Sequence, residues 1–204
     1  MRKIHVLTFV TLDGVMQAPG GPEEDTSNGF RHGGWLAPYF DDAGGQEMGR
    51  QMGHDFDLLL GRHTYDIFAS YWPQHEGPIG EPINKAKKYV ATHRPLDTDW
   101  SGTATRLEGD VAEAIRELKR GSGPELQVHG SRVLIQTLLE HDLVDELWLK
   151  IFPVTLGYGV KLFEGGTRPA AFETIESFTT PSGVIFARYR RAGDVRLATV
   201  GAGD

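Results

Sequence analysis

Three short stretches combine glycine, hydroxyl and guanidinium groups in a way that could hold phosphate: Gly61-Arg62-His63-Thr64, Ala91-Thr92-His93-Arg94-Pro95 and His129-Gly130-Ser131-Arg132. Each comes at the end of a β-type run, and in an open α/β sheet ligands collect at the carboxyl ends of strands. In the first and third stretches a helix is expected to begin at the turn. Its unpaired backbone N–H groups and the positive end of its dipole would then face outward together. Arg62 and Arg94 can fork onto phosphate oxygens, and Thr64, Thr92 and Ser131 can donate hydroxyl hydrogen bonds. Any one of these turns also reads as an ordinary cap. Together they could grip several phosphates at once.

Other chemistries find little support. There is no cysteine, which excludes thiolate metal sites, cysteine nucleophiles and disulfides. The eight histidines show neither His-x-His nor His-Glu-x-x-His spacing, so no metal site is expected. Gly130-Ser131 lacks the full Gly-x-Ser-x-Gly pattern of a serine hydrolase. A formal charge of −7 argues against a general binder of nucleic acid or anionic membranes. No apolar run approaches the ~20 residues of a membrane span, and the start of the chain does not read as a secretory signal, so a cytoplasmic protein is expected.

The elements that must position these turns follow from patterning. Ile4 to Val10 reads as a strand near the middle of a sheet, and the glycine- and proline-rich stretch 17–34 as a long loop of functional length. A short helix is expected from Asp42 to Met52, weakened by Gly44, Gly45 and Gly49. Leu58-Leu59-Leu60 reads as a strand covered on both faces, followed by a helix from about Thr64 to Tyr71. Lys88 to Ala91 is a strand. Asp110 to Arg120 is a helix, with Asp110 and Glu113 to cap its start and Gly121 to end it. Leu126 to Val128 (strand), Arg132 to Glu140 (helix) and Leu147 to Phe152 (strand) continue the pattern of a parallel sheet flanked by helices. Phe172 to Phe178 and Val184 to Tyr189 form a hairpin about Pro181-Ser182-Gly183, so the sheet finishes antiparallel. One domain over residues 1–191 is expected, with a flexible tail over 192–204.

The order and spacing of three segments resemble the dihydrofolate reductase superfamily: Leu12-Asp13-Gly14-Val15-Met16, Leu60-Gly61-Arg62-His63-Thr64-Tyr65 and Val128-His129-Gly130-Ser131-Arg132-Val133. Pro153-Val154-Thr155-Leu156-Gly157-Tyr158-Gly159 and Leu162-Phe163 are similar to the branch related to the C-terminal reductase domain of bifunctional riboflavin-biosynthesis proteins. The resemblance implies a three-layer α/β fold with a mostly parallel central sheet, and NADPH as cofactor. It places Arg62, His63 and Thr64 at the adenosine end and pyrophosphate. Thr92, His93 and Arg94 fall around the 2′-phosphate and adenine, and Gly130, Ser131, Arg132 and Val133 along the pyrophosphate. Phe9 and the backbone from Val15 through Met16 to Gln17 would face the nicotinamide.

The substrate end is less defined. Dihydrofolate reductases carry a carboxylate on the helix after the first loop, and here either Asp41 or Asp42 could be that acid or simply start the helix. Lys150 stands where the resemblance expects a small hydroxyl residue; facing the cleft it could polarise a carbonyl or bind a phosphate, and facing outward it is a solvated lysine. That departure argues against dihydrofolate as substrate. Trp35, Tyr39, Phe40, Tyr71 and Trp72 offer flat surface for a ring system, or ordinary core packing. The expectation is a homodimeric, NADPH-dependent reductase of a small heterocyclic or carbonyl compound. The alternative is a nucleotide-binding or regulatory module with the same fold and no reductase chemistry.

Overall fold

The computed structural model describes residues 1–96, 99–164 and 167–201. Its frame is one eight-stranded sheet. The strands are β1 (Ile4–Thr11), β2 (Phe56–Gly61), β3 (Lys88–Ala91), β4 (Ala104–Leu107), β5 (Glu125–His129), β6 (Glu146–Phe152), β7 (Phe172–Thr179) and β8 (Ile185–Arg191). Their order is β4-β3-β2-β5-β1-β6-β8-β7. All pairings from β4 to β6 are parallel, and β8 joins β6 antiparallel before pairing with β7 in the C-terminal hairpin. The fold is thus the dihydrofolate-reductase-like one expected from the motif order.

Strand alternation gives the sheet two different faces. On one, Ile4, Val6 and Val10 of β1, Leu126 and Val128 of β5, and Leu147 and Leu149 of β6 pack with Ile115, Leu134, Ile135 and Leu138. Ile115 lies on α4 (Val111–Arg120) and the other three on α5 (Arg132–Glu140). The opposite face is covered by α1 (Asp42–Met52), α2 (Arg62–Tyr71) and α3 (Gly80–Lys85). There Leu7, Leu58, Leu60, Val90 and Trp148 pack with Met52, Tyr65 and Ile83. Polar residues alternate in the same rows: His5, Gln127, Glu146 and Lys150 are all buried.

Most boundaries match the patterning. Asp110 caps α4 by accepting from Glu113 N, and Gly121 ends it. Two differences matter. Helix α2 starts at Arg62, two residues before the expected Thr64, so Gly61 is its cap and the N–H groups of Arg62, His63 and Thr64 form its free first turn. β4 and α3 were absent from the patterning. β4 is a four-residue edge strand with no buried position, and α3 carries Gly80 and Pro82 within six residues. Residues 192–201 contain neither helix nor strand; the rest of the expected tail, 202–204, lies outside the described residues.

Candidate functional site

A cleft of about 560 Å³ runs along the carboxyl ends of the parallel strands. The starts of α2 and α5 both open into it, as do Met16 and, from the long loop, residues 17–19, 24, 25, 27 and 28. The structure brings Phe9, Met16, Gln17, Gly61, Arg62, His63, Thr64, Thr92, His93, Gly130, Ser131, Arg132 and Val133 to this one wall. These residues come from the first strand, the loop after it and three turns separated by tens of residues. The parallel crossover connections are what align them.

The first and third turns are joined directly. Gly61 N donates to Ser131 Oγ (2.9 Å), and Ser131 N donates to Thr64 Oγ1 (2.7 Å). Each hydroxyl accepts in this pair and so keeps its own proton free to donate elsewhere. The contact requires a sharp turn, and Gly130 and Ser131 are both left-handed, with φ of 52° and 55°. A Cβ on Gly130 would stand 2.9 Å from Thr64 Oγ1, so only glycine lets the turns close on each other. The product is two helix N-termini held side by side, with backbone N–H groups and hydroxyls at the same wall. Such an arrangement is chemically able to hold an extended polyanion.

Arg62 joins the second turn to the first. Its Nε donates to both Asp66 carboxylate oxygens (2.7 and 2.9 Å) and its Nη1 to Pro95 O (2.6 Å). Arg94 departs from the sequence expectation. It does not line the cleft; its side chain is 67% exposed and reaches only Asp66, at 3.4 Å.

The long loop folds over the cleft, held by Gln17. Its Nε2 donates to Asp25 O and to Ser27 O, while its Oε1 accepts from Val160 N. The loop brings in Glu24 and Asp25, which the sequence reading did not single out. Burial raises the Glu24 carboxyl above its ordinary value, although Gly20 N and Gly21 N donate to it. Burial acts the same way on Asp25, but hydrogen bonds from Ser27 and the nearby His63 outweigh it and leave Asp25 lowered.

The inner end of the cleft is apolar and aromatic, with Leu7, Phe9, Ile67 and Phe68 around His129. His129, named in the sequence only as the residue that opens the third turn, was given no role of its own there. Its ring lies 6.2 Å from Phe68, and its Nε2 is 3.1 Å from Gln127 Oε1. Burial, with a contribution from Lys150, lowers its pKa to about 3, so the imidazole is neutral. Lys150 is the register partner of Phe9 across β1 and β6, and its Nζ lies 5.7 Å from the Phe9 ring. Lys150 itself is not among the residues lining the cleft: only 3% of it is exposed, and it has no hydrogen-bond partner among the described residues. Burial pushes its pKa down to about 7, against the opposing charge of Glu47. Glu47 is the buried carboxylate of α1, and it is engaged by Arg50 (2.6 Å) and Gln51 (2.8 Å).

Several expected site residues stand elsewhere. Asp41 caps α1, with Oδ1 accepting from Gly44 N (2.8 Å) and Oδ2 from Ser182 N (2.9 Å), and these bonds lower its pKa. Asp42 is an exposed residue of the first helical turn. Neither lines the cleft. Val15 is fully buried against Phe30, Trp35 and Phe152, and its N–H is taken by Thr11 Oγ1. The five aromatics are also outside the cleft wall. Trp35 is buried and donates from Nε1 to Gln17 O (2.8 Å), which anchors the loop. Tyr39 packs on Phe152, and Phe40 is an exposed ring beside Gly45. Tyr71 stacks on His75, and Trp72 packs edge-on against Phe68.

Comparison with known proteins agrees with this architecture. The uncharacterized protein YyaP of Bacillus subtilis is 30% identical over 141 residues, 67% of this chain and 74% of that protein. YwjB of the same organism, also uncharacterized, is 26% identical over 106 residues, 52% of this chain and 57% of its own. Among solved structures, a "Putative riboflavin biosynthesis protein" from Shewanella sp. PV-4 superposes with a TM-score of 0.66 at 23% identity, covering 94% of this chain and 99% of that one. A pyrimidine reductase-like protein from Corynebacterium diphtheriae gives 0.57 at 13% identity, over 95% and 93% of the two chains. Residues 2–186 match the family described as the RibD C-terminal domain, and the chain belongs to that family.

Proposed function

We propose that this protein is an NADPH-dependent reductase of a small heterocyclic or carbonyl compound, other than dihydrofolate. The observation that carries the reading is the pair of helix N-termini joined through Ser131 and Thr64 at one cleft wall. Such a wall fits a pyrophosphate, and the reductase-like character of the family points the same way. The N–H groups of Arg62, His63 and Thr64 would hold the phosphates, with Thr64 and Ser131 donating from their hydroxyls. Arg62, Thr92 and His93 would surround the 2′-phosphate and adenine, and Phe9 would face the nicotinamide. Bound there, NADPH supplies a hydride to a substrate carbon. Lys150 completes the reduction by giving a proton to the attached heteroatom; the neutral amine left behind regains a proton from water.

Titrating the protein against NADPH fluorescence tests this. Saturable binding that weakens in Arg62→Ala is expected, and no binding at millimolar NADPH would overturn the reading. A second reading, a nucleotide-binding module without chemistry, is favoured by the absence of Asp41, Asp42 and Lys150 from the cleft lining. A substrate panel followed by absorbance of the reduced cofactor separates the two. Our reading includes a cytoplasmic homodimer, which light scattering on the purified chain and fractionation of the source cells check. No described helix is long and apolar enough to cross a membrane.

A further inference from the structure

We infer that His129 is a fixed hydrogen-bond acceptor at the inner end of the cleft, and that it selects a planar ring presenting an N–H toward β5. The inference rests on the reductase reading of the cleft and adds a substrate class to it.

The argument begins at Glu125. Its carboxylate takes hydrogen bonds from His54 Nε2 (2.8 Å) and Gln127 Nε2 (3.0 Å). The same Gln127 Nε2 also donates to Gln51 O (3.3 Å). Both neighbours on that side are acceptors, so the amide nitrogen must face them and Oε1 must face His129. The flipped amide would set an oxygen against a carboxylate and a carbonyl. Gln127 is fully buried, so bulk solvent cannot relieve such a clash. Its Oε1 can only accept, which makes His129 Nε2 the donor. A neutral imidazole carries one ring proton, so Nδ1 is left with its lone pair. Nδ1 has no partner among the described residues, and His129 lines the cleft.

A flat surface for that ring stands on the neighbouring strand. His129, Phe9 and Lys150 occupy the same sheet face on adjacent strands β5, β1 and β6, with Leu7 opposite His129 and Phe9 opposite Lys150. Phe9, on the strand between β5 and β6, lines the cleft and offers a flat surface for a ring to stack on. A ligand lacking the N–H would leave Nδ1 desolvated and unpaired.

Two measurements on the full chain test the inference. The first is ring-nitrogen NMR of histidine-labelled protein, with His129→Gln used to assign the signals. An Nε2–H tautomer with unprotonated Nδ1 is expected, and Gln127→Met should release the preference. An Nδ1–H tautomer or an imidazolium at neutral pH overturns the inference, whether or not the protein proves to be a reductase. The second compares 2-pyridone with N-methyl-2-pyridone, titrated into protein already shown to bind NADPH. The N–H ring should bind at least about tenfold more tightly, and His129→Phe should abolish the difference. Equal affinities, or no binding of either ring by protein that binds NADPH, overturn the substrate class and leave the cofactor reading standing.

Discussion

The two faces of the central sheet are built on opposite principles. Beneath α4 and α5, Ile4, Val6, Leu126, Val128 and Leu147 bury nothing but hydrocarbon. Beneath α1 and α2, the neighbouring positions of the same strands bury His5, Gln127, Glu146 and Lys150. The apolar face gains from every methylene withdrawn from water, while each polar group on the other face must be partnered or carry a desolvation cost. Most of them are partnered. Lys150 is the exception, and it lies beside the cleft. The comparison therefore separates what holds the fold from what the fold holds in place.

The largest effect that would break this division is Ile135→Ala. Ile135 is fully buried in the apolar layer, so truncation should cost about 2–5 kcal/mol, read as a lower denaturant midpoint. A cost below about 1 kcal/mol would show that the layer can collapse around the gap, and that it is not the framework described.

Lys150→Met should do the reverse. Replacing a buried, unpaired ammonium with an apolar chain of similar length should stabilise the protein by about 1–4 kcal/mol while abolishing reduction. The pH dependence has a definite sign. Burial lowers the folded-state pKa from 10.5 to about 7, so below about 7 both states are protonated and the full cost of burial is present. Between about 7 and 10.5 the unfolded chain binds more protons, so wild-type stability rises with pH and the advantage of the variant shrinks. Denaturation at pH 6 and pH 9 measures the difference. Turnover by wild type should fall as pH rises through the same lower bound, because the proton donor is lost.

How much of this was legible in the sequence depends on whether a feature is local. The Gly61 and Gly130 turns are written in consecutive residues, where an apolar run, a glycine and a hydroxyl suffice to suggest a strand, a turn and a cap. Asp110 with Glu113 announced α4 in the same way. The inner end of the cleft has no such signature. His129 and Phe9, which line it, and the buried Lys150 and Glu47 beside it come from three strands and a helix, and only the strand order β5-β1-β6 with α1 above brings them together. Glu47 is one acidic residue in the middle of a glycine-containing helix, with no pattern to set it apart. Asp41 and Asp42 drew attention as the carboxylates the family resemblance expects after the first loop, but opening the helix is what Asp41 does.

Gly130→Ala tests the local half of the comparison. The added Cβ would meet Thr64 Oγ1 at 2.9 Å and Thr64 Cγ2 at 3.2 Å, on a residue whose φ of 52° already strains an L side chain. Thr64 is buried and β-branched, so the two turns must part rather than one side chain swing away. NADPH affinity should fall at least about tenfold, or 1.4 kcal/mol, by fluorescence titration. Unchanged affinity would mean that the joined turns are a structural splice and not a phosphate site.

The smallest expected effect discriminates most sharply between the two carboxylate roles considered for α1. Asp41→Asn keeps a side-chain oxygen to accept from Gly44 N, and asparagine caps helices about as well as aspartate. A cap residue outside the cleft should therefore leave kcat/KM within about twofold of wild type across the pH range. An acid delivering protons to substrate would instead lose about 100-fold or more, the scale of a general acid–base contribution. Wild-type turnover surviving in Asp41→Asn and vanishing in Lys150→Met would place proton delivery on the polar face of the sheet, beside Phe9. The opposite result would move it to the start of α1, and would require the loop between Trp35 and Asp41 to carry that aspartate from Ser182 into the cleft.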